Sequence, residues 1–227
     1  MAAFDNTTEI YPDNDFPPGE NPLSDGGKWY SWARFPLQSK GDGSAIIGTV
    51  EFAVNGSMYV AETFNGNIIE AYGCRPESGL GAALESHRIV ALTDPVSYVG
   101  YSSGFGGGIT ESYFFRKYSG STGTWDDIAG DVIVDFDPQR PSKLGIRITP
   151  STVEQWGFYT AVGDTTEDWH LVQYSNDTSI RGTFYIGLET EEQGGVNEVG
   201  WTCFGAQVIR RTQFYRWLPS LKAGELV

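Results

Sequence analysis

Residues Lys143 to Glu189, KLGIRITPSTVEQWGFYTAVGDTTEDWHLVQYSNDTSIRGTFYIGLE, read as three or four strands in succession with no helix between them. Leu144, Ile146 and Ile148 alternate with Gly145, Arg147 and Thr149. After a turn at Pro150-Ser151, the run Val153 to Val162 is dense in β-branched and aromatic residues: Val153, Trp156, Phe158, Tyr159 and Val162. Polar turns at Gly163–Thr166 and Ser175–Thr178 set off Trp169–Tyr174 and Phe184–Leu188. Period-2 alternation between turn clusters marks half-buried antiparallel strands. Each such strand offers one apolar face, so a second sheet must cover it. The expected fold is all-β, a two-sheet antiparallel jelly-roll sandwich of roughly twelve strands with little helix.

Outward from this stretch the pattern continues. Ile46, Gly48, Val50, Phe52 and Val54 read as a strand, Asn55-Gly56 as a hairpin turn, Met58–Phe64 as its return, and Ile68–Tyr72 as the next strand. Residues Gly73 to Asp94 read as an irregular crossover with at most a turn or two of helix, although Arg88–Leu92 suits a strand equally well. Val96–Tyr101 and Tyr113–Tyr118 read as strands; Ser102–Gly108, Trp125–Ile128 and Glu189–Glu198 read as loops. Trp201–Val208 is the last clear strand. The expected organisation is an N-terminal arm at 1–12, one sandwich domain at 13–209, and a basic aromatic tail at 210–227.

Composition narrows the function classes. Charged residues are only 19% of the 227, yet the net charge is −14. Nucleic-acid binding rests on clustered Lys and Arg, so that balance excludes it as an expectation, and an anionic membrane surface with it. No apolar run approaches the ~20 residues of a membrane span. Met1 to Asp15 carries Asp5, Glu9, Asp13 and Asp15 without a basic residue, unlike a secretory signal. Cys74 and Cys203 lie far apart, which favours two reduced thiols over a long-range disulfide.

Asp15-Phe16, Leu23 and Gly27-Lys28-Trp29 form a D-F…L…G-x-W opening. It resembles that of concanavalin A-like jelly-roll modules of bacteriophage tail and virion proteins. Tyr113–Arg116, Leu144–Arg147, Trp169 with Val172, Gly187-Leu188 and Phe204-Gly205 follow in an order similar to laminin-G-like and lectin/glucanase folds. The resemblance spans about Asp13 to Ile209. It implies a virion location, which also suits an extracellular fold class without an export signal.

Three functions are consistent with that resemblance. The first is a non-enzymatic virion structural protein, in tail or capsid, that assembles with other virion proteins and with itself. Its basic aromatic tail, with Arg210, Arg211, Phe214, Tyr215, Arg216 and Trp217, is the expected interface, because arginine and aromatics dominate interface energy. The second is a glycan-binding module for host attachment, with Tyr101, Phe105 and Trp125 as the exposed-aromatic candidates. The third is a polysaccharide hydrolase, which needs two carboxylates facing one cleft. Glu189-Thr190-Glu191-Glu192 and Asp135-Phe136-Asp137 are the nearest patterns, and both read as surface acids. His87 and His170 make neither a triad nor a zinc signature. No cofactor is expected. A structural calcium has three candidate acid pairs: Asp13 with Asp15, Asp164 with Asp168, and Glu189 with Glu191. Sequons at Asn6, Asn55 and Asn176 matter only in a secretory pathway.

Overall fold

The structure is a computed structural model. It describes residues 4, 7–31, 33, 35–49, 53–75, 85–94, 96, 98–106, 111–120, 125–133, 141–192 and 200–209. The described residues form sixteen strands and no helix. A six-stranded antiparallel sheet has the order β1-β16-β6-β11-β12-β13, where β1 is Glu9–Tyr11, β16 Cys203–Ile209, β6 Ile68–Cys74, β11 Lys143–Ile148, β12 Val153–Thr160 and β13 Glu167–Ser175. A seven-stranded sheet has the order β10-β9-β8-β7-β14-β5-β2, built from β10 Trp125–Ile133, β9 Ser112–Ser119, β8 Val99–Gly106, β7 Glu85–Asp94, β14 Phe184–Glu192, β5 Val54–Phe64 and β2 Trp29–Tyr30. A small third sheet, not expected from the sequence, joins β15 (Gly200–Trp201), β4 (Ile46–Gly48) and β3 (Leu37–Ser39). The fold is thus the expected all-β antiparallel jelly-roll sandwich.

The alternation that predicted the sandwich sets its core. Leu144, Ile146 and Ile148 on β11 meet Ile89 and Ala91 on β7, Tyr101 and Phe105 on β8, and Ile186 and Leu188 on β14, all buried in one cluster. A polar pin crosses this apolar layer. Gln155 of β12 is fully buried, and its Nε2 reaches Ser103 Oγ at 3.1 Å, Gly104 O at 2.8 Å and Phe114 O at 3.0 Å on the opposite sheet. Its Oε1 accepts from Gln173 Nε2 at 2.6 Å, and Ser103 Oγ donates to Gly145 O at 2.9 Å. Buried amides are tolerated when so satisfied, and the bonds fix how the sheets register.

Several expectations are corrected. Asn55-Gly56 is not a hairpin turn but lies inside β5, whose Asn55 and Gly56 pair with Thr190 and Glu189. The crossover expected at Gly73–Asp94 contains the ten-residue strand β7. Ser102–Gly106, expected as a loop, is the buried second half of β8. Small residues are required there: a Cβ on Gly104 would stand 1.9 Å from the Phe114 ring, which lies flat across it. Trp125–Ile128 opens β10 rather than a loop. Cys74 and Cys203 are bonded to each other, not reduced. They are direct partners in β6 and β16, so their Cα atoms stand 4.9 Å apart although 129 positions separate them in the chain.

Part of the expected N-terminal arm is docked. Glu9–Tyr11 extends the six-stranded sheet beside β16. Phe4 sits over Gly145 on the outer face of that sheet, with Trp169 at 4.3 Å, Trp156 at 6.0 Å and Tyr72 at 6.4 Å between ring centres. Among the described residues no helix is long and apolar enough to cross a membrane.

Candidate binding face

The outer face of the seven-stranded sheet carries the chemistry, and register lays it out. Strand pairing sets Phe114, Gly104, Arg88 and Glu189 in one row across β9, β8, β7 and β14. The next row holds Asp127, Arg116, Ser102, Val90, Gly187 and Met58, and Trp125 is paired with Tyr118 in the row beyond. Glycine at 104 leaves the floor open for the Phe114 ring, and that ring in turn carries two arginines. The Arg116 guanidinium lies 4.4 Å from the Phe114 ring centre and 4.6 Å from that of Trp125, and Arg88 lies 5.5 Å from Phe114. Arg116 Nε also donates to Asp127 Oδ1 at 3.3 Å. The result is a ladder, Arg88–Phe114–Arg116–Trp125, running from the buried middle of the sheet to its β10 edge. Cation–π contacts of this kind contribute roughly 0.5–2 kcal/mol each, most when desolvated.

At the buried end, Arg88 is shared by two carboxylates. Its Nη2 bonds Glu191 Oε2 at short range, and its Nη1 lies 3.8 Å from Glu189 Oε2. Glu189 is only 2% exposed, and its Oε2 has no hydrogen-bond partner. Burial pushes the Glu189 carboxyl up, Arg88 pulls it part of the way back and Glu191 pushes it up again, to about 7 in all. Burial also raises the neighbouring Tyr118 phenol, as does the Glu189 charge. Ser86 Oγ, Ser102 Oγ and Arg88 Nε are likewise buried without a hydrogen-bond partner. At the exposed end, Trp125 keeps 46% of its surface open. One end of the face is therefore a nearly dry charge cluster and the other a supported, open indole.

Of the three aromatic candidates from the sequence, only Trp125 is exposed. Tyr101 and Phe105 point into the core with 0% exposure, which removes them as ligand contacts. Tyr101 holds the loop after β13: its hydroxyl donates to Asp177 O at 3.0 Å and accepts from Ile180 N at 3.0 Å. Phe105 supports Arg75, whose guanidinium lies 4.6 Å above its ring. The tail candidates Arg210, Arg211, Phe214, Tyr215, Arg216 and Trp217 lie outside the described residues, as does Asp135-Phe136-Asp137. His87 is buried; its Nε2 donates to Gly200 O at 2.9 Å and its Nδ1 accepts from Arg75 Nε at 3.3 Å, an assignment that follows from those partners. Burial, with Arg75 beside it, holds its pKa well below the usual imidazole value. The His170 ring lies 4.5 Å from that of Tyr159, tilted 35° to it.

Glu189 and Glu191 are the residues sequence reasoning misplaced. They belong to β14, not to a solvated loop, and both face the outer side two positions apart. As a calcium pair they already have a cation in Arg88. Arg88, Phe114 and Arg116 were read only as parts of strands and not as site residues. The signal available was the outward set Tyr185, Gly187, Glu189, Glu191, which continues the alternation of Phe184, Ile186 and Leu188 without a break.

No family model and no curated protein matches the chain. Among solved structures it is similar to the CBM2 module of the evolved Dit of Lactobacillus casei BL23 phage J-1, at 11% identity and a TM-score of 0.50, over 75% of this chain and 78% of that one. A GH43 glycoside hydrolase engineered for endo-xylanase and exo-arabinofuranosidase activity aligns at 14% identity and a TM-score of 0.46, over 92% of this chain but 43% of the enzyme. A Bacillus subtilis protein of unknown function with a galectin-like fold aligns at 13% identity and a TM-score of 0.41, over 84% of this chain and 96% of that one. The first of these likenesses shows the shared sandwich fold and nothing finer.

Proposed function

We propose that this chain is a non-catalytic, lectin-like component of a bacteriophage particle that binds glycan on the outer face of its seven-stranded sheet. The observation that carries this is Trp125, an indole held half exposed at the start of β10 and backed by Arg116, which itself lies over Phe114. A sugar ring presents apolar C–H faces, and an aromatic platform fixed before the ligand arrives loses little freedom on binding. Asp127 and Arg116 beside it offer hydrogen-bond partners for hydroxyls. The Cys74–Cys203 bond suits a protein that works outside a reducing cytoplasm, as a particle does. The fold likeness to a phage carbohydrate-binding module points the same way. Titration calorimetry against bacterial cell-wall polysaccharides tests it. Trp125→Ala is expected to weaken binding by about tenfold or more, close to the worth of one stacked ring. Uniformly blank titrations, or wild-type affinity in Trp125→Ala, overturn it.

One observation favours a second reading, hydrolysis. Glu189 is a buried acid raised to about 7, with Glu191 on the same face. A raised acid beside a second carboxylate is the arrangement glycoside hydrolysis uses. Reducing-sugar release that disappears in Glu189→Gln replaces the binding reading with this one.

A further inference from the structure

Six asparagines lie among the described residues: Asn14, Asn21, Asn55, Asn65, Asn67 and Asn176. An asparagine amide is open to attack by the backbone nitrogen of the next residue, provided that nitrogen can turn toward it. At five of the six the structure prevents this. Pro22, after Asn21, has no N–H to lose. Asp15 N donates to Pro12 O at 3.1 Å, and Asp177 N to Ser175 Oγ at 3.1 Å. Ile68 is already the first residue of β6, paired with Ile209, and its branched Cβ crowds the approach. Asn55-Gly56 has no such branch, but Gly56 N donates to Phe35 O at 2.9 Å. The Asn55 amide is also held at both ends, Nδ2 by Ala53 O and Oδ1 by Thr49 N, each at 2.9 Å, and Asn55 is buried. Asn65-Gly66 is the same dipeptide with none of these restraints. With Asn67 it forms the whole link from β5 in the seven-stranded sheet to β6 in the six-stranded sheet, and all three residues are exposed. Among the described residues no hydrogen bond holds Gly66 N or the Asn65 side chain. Gly66 brings no Cβ to hinder the approach.

We infer that Asn65-Gly66 is a modification site, at which the chain ages by spontaneous deamidation with water as the co-reactant. Gly66 N bonds to Asn65 Cγ, the Cγ–Nδ2 bond breaks, and ammonia leaves with the proton of the backbone nitrogen. Water then opens the cyclic imide. Opening at Cγ gives an ordinary aspartate. Opening at the Asn65 carbonyl carbon gives isoaspartate, whose main chain is longer by one carbon. Either product takes the net charge from −14 to −15, one amide having become one carboxylate. The isoaspartate also acts on the fold. Gly66 lies close against β16: a Cβ there would stand 2.2 Å from Val208 Cγ1. Val208 packs on the core and pairs with Ile69. A link of three residues that gains a carbon pushes into Val208 and loosens the last pairs of β16, Val208 with Ile69 and Ile209 with Ile68. The inference does not depend on the glycan reading.

Prolonged incubation of the full chain at mildly alkaline pH, followed by ion exchange and peptide mapping, tests it. A more acidic species should accumulate, with the new carboxylate at position 65 and Asn55 still an amide. Asn65→Gln, whose longer side chain closes the ring far more slowly, should lose that species. The isolated isoaspartate form should melt roughly 2–4 °C below the fresh chain. Asn65→Asp adds the charge without the extra carbon and should melt with the wild type, as exposed substitutions usually do. The inference is overturned if no acidic species forms, if it maps to Asn55, or if Asn65→Gln forms it as fast. An isoaspartate form that melts together with Asn65→Asp overturns the consequence drawn for β16.

Discussion

Replacing Glu189 with glutamine isolates the electrostatics of the sheet centre. In the folded chain burial moves this carboxyl from its ordinary 4.5 to about 7. Below about pH 4.5 both folded and unfolded chains hold the proton. Between about 4.5 and 7 only the folded chain holds it, so folding is proton-linked and stability falls as pH rises. Above about 7 neither holds it and the loss is complete. Each tenfold in proton affinity corresponds to about 1.4 kcal/mol, so the full loss is at most about 3 kcal/mol. Arg88 remains paired with Glu191 in the variant, so a neutral amide at 189 leaves no bare buried cation. Urea unfolding of both proteins at intervals from pH 4.5 to 8 reads the effect. The wild type should lose up to about 3 kcal/mol relative to Glu189→Gln across that window. The difference between the two curves removes the shared contribution of the other carboxylates. Parallel curves would refute the assignment of a raised, buried acid at this position.

Two further outcomes concern the frame. Cys203→Ser opens a bond that spans 129 residues, for which chain entropy alone gives a loss of about 5 kcal/mol, read as a lower urea midpoint that reducing agent reproduces in the wild type. Gln155→Leu strips the inter-sheet pin and leaves Ser103 and Gln173 short of partners, at about 2 kcal/mol and so about 4–8 °C in melting temperature; an unchanged melt would show that the pin adds nothing.

The strands whose apolar residues alternate cleanly, β11 through β14, were legible because one buried face writes itself into every second position. What escaped were elements whose inward and outward faces both break that code. The second half of β8 was read as a glycine loop because Gly104 and Gly106 look like turn residues. The smallness of Gly104 answers to Phe114, which lies in the neighbouring strand and needs a bare floor. Glu189 and Glu191 looked like solvent-facing acids because their counter-ion, Arg88, sits a hundred residues earlier. The cysteine pairing was missed for the same reason, since only the adjacency of β6 and β16 brings the sulfurs together. Trp125 was found because it follows a run of Ser, Thr and Gly, which reads as a surface stretch; the stretch proved to open a strand, but the indole is exposed as expected. Tyr101 and Phe105 were misjudged with it because their surroundings, not their type, decide burial.

The order of strands also governs how the chain can be made. β14 lies between β5 and β7, and β16 lies between β1 and β6, so late segments of the sequence fill gaps left by early ones. While the polypeptide leaves the ribosome, those early strands have no neighbour on one side until residues beyond Phe184 emerge. Closure over such separations is slow. A product halted before Phe184 would therefore be no smaller domain, only two unfinished sheets with their inner faces uncovered.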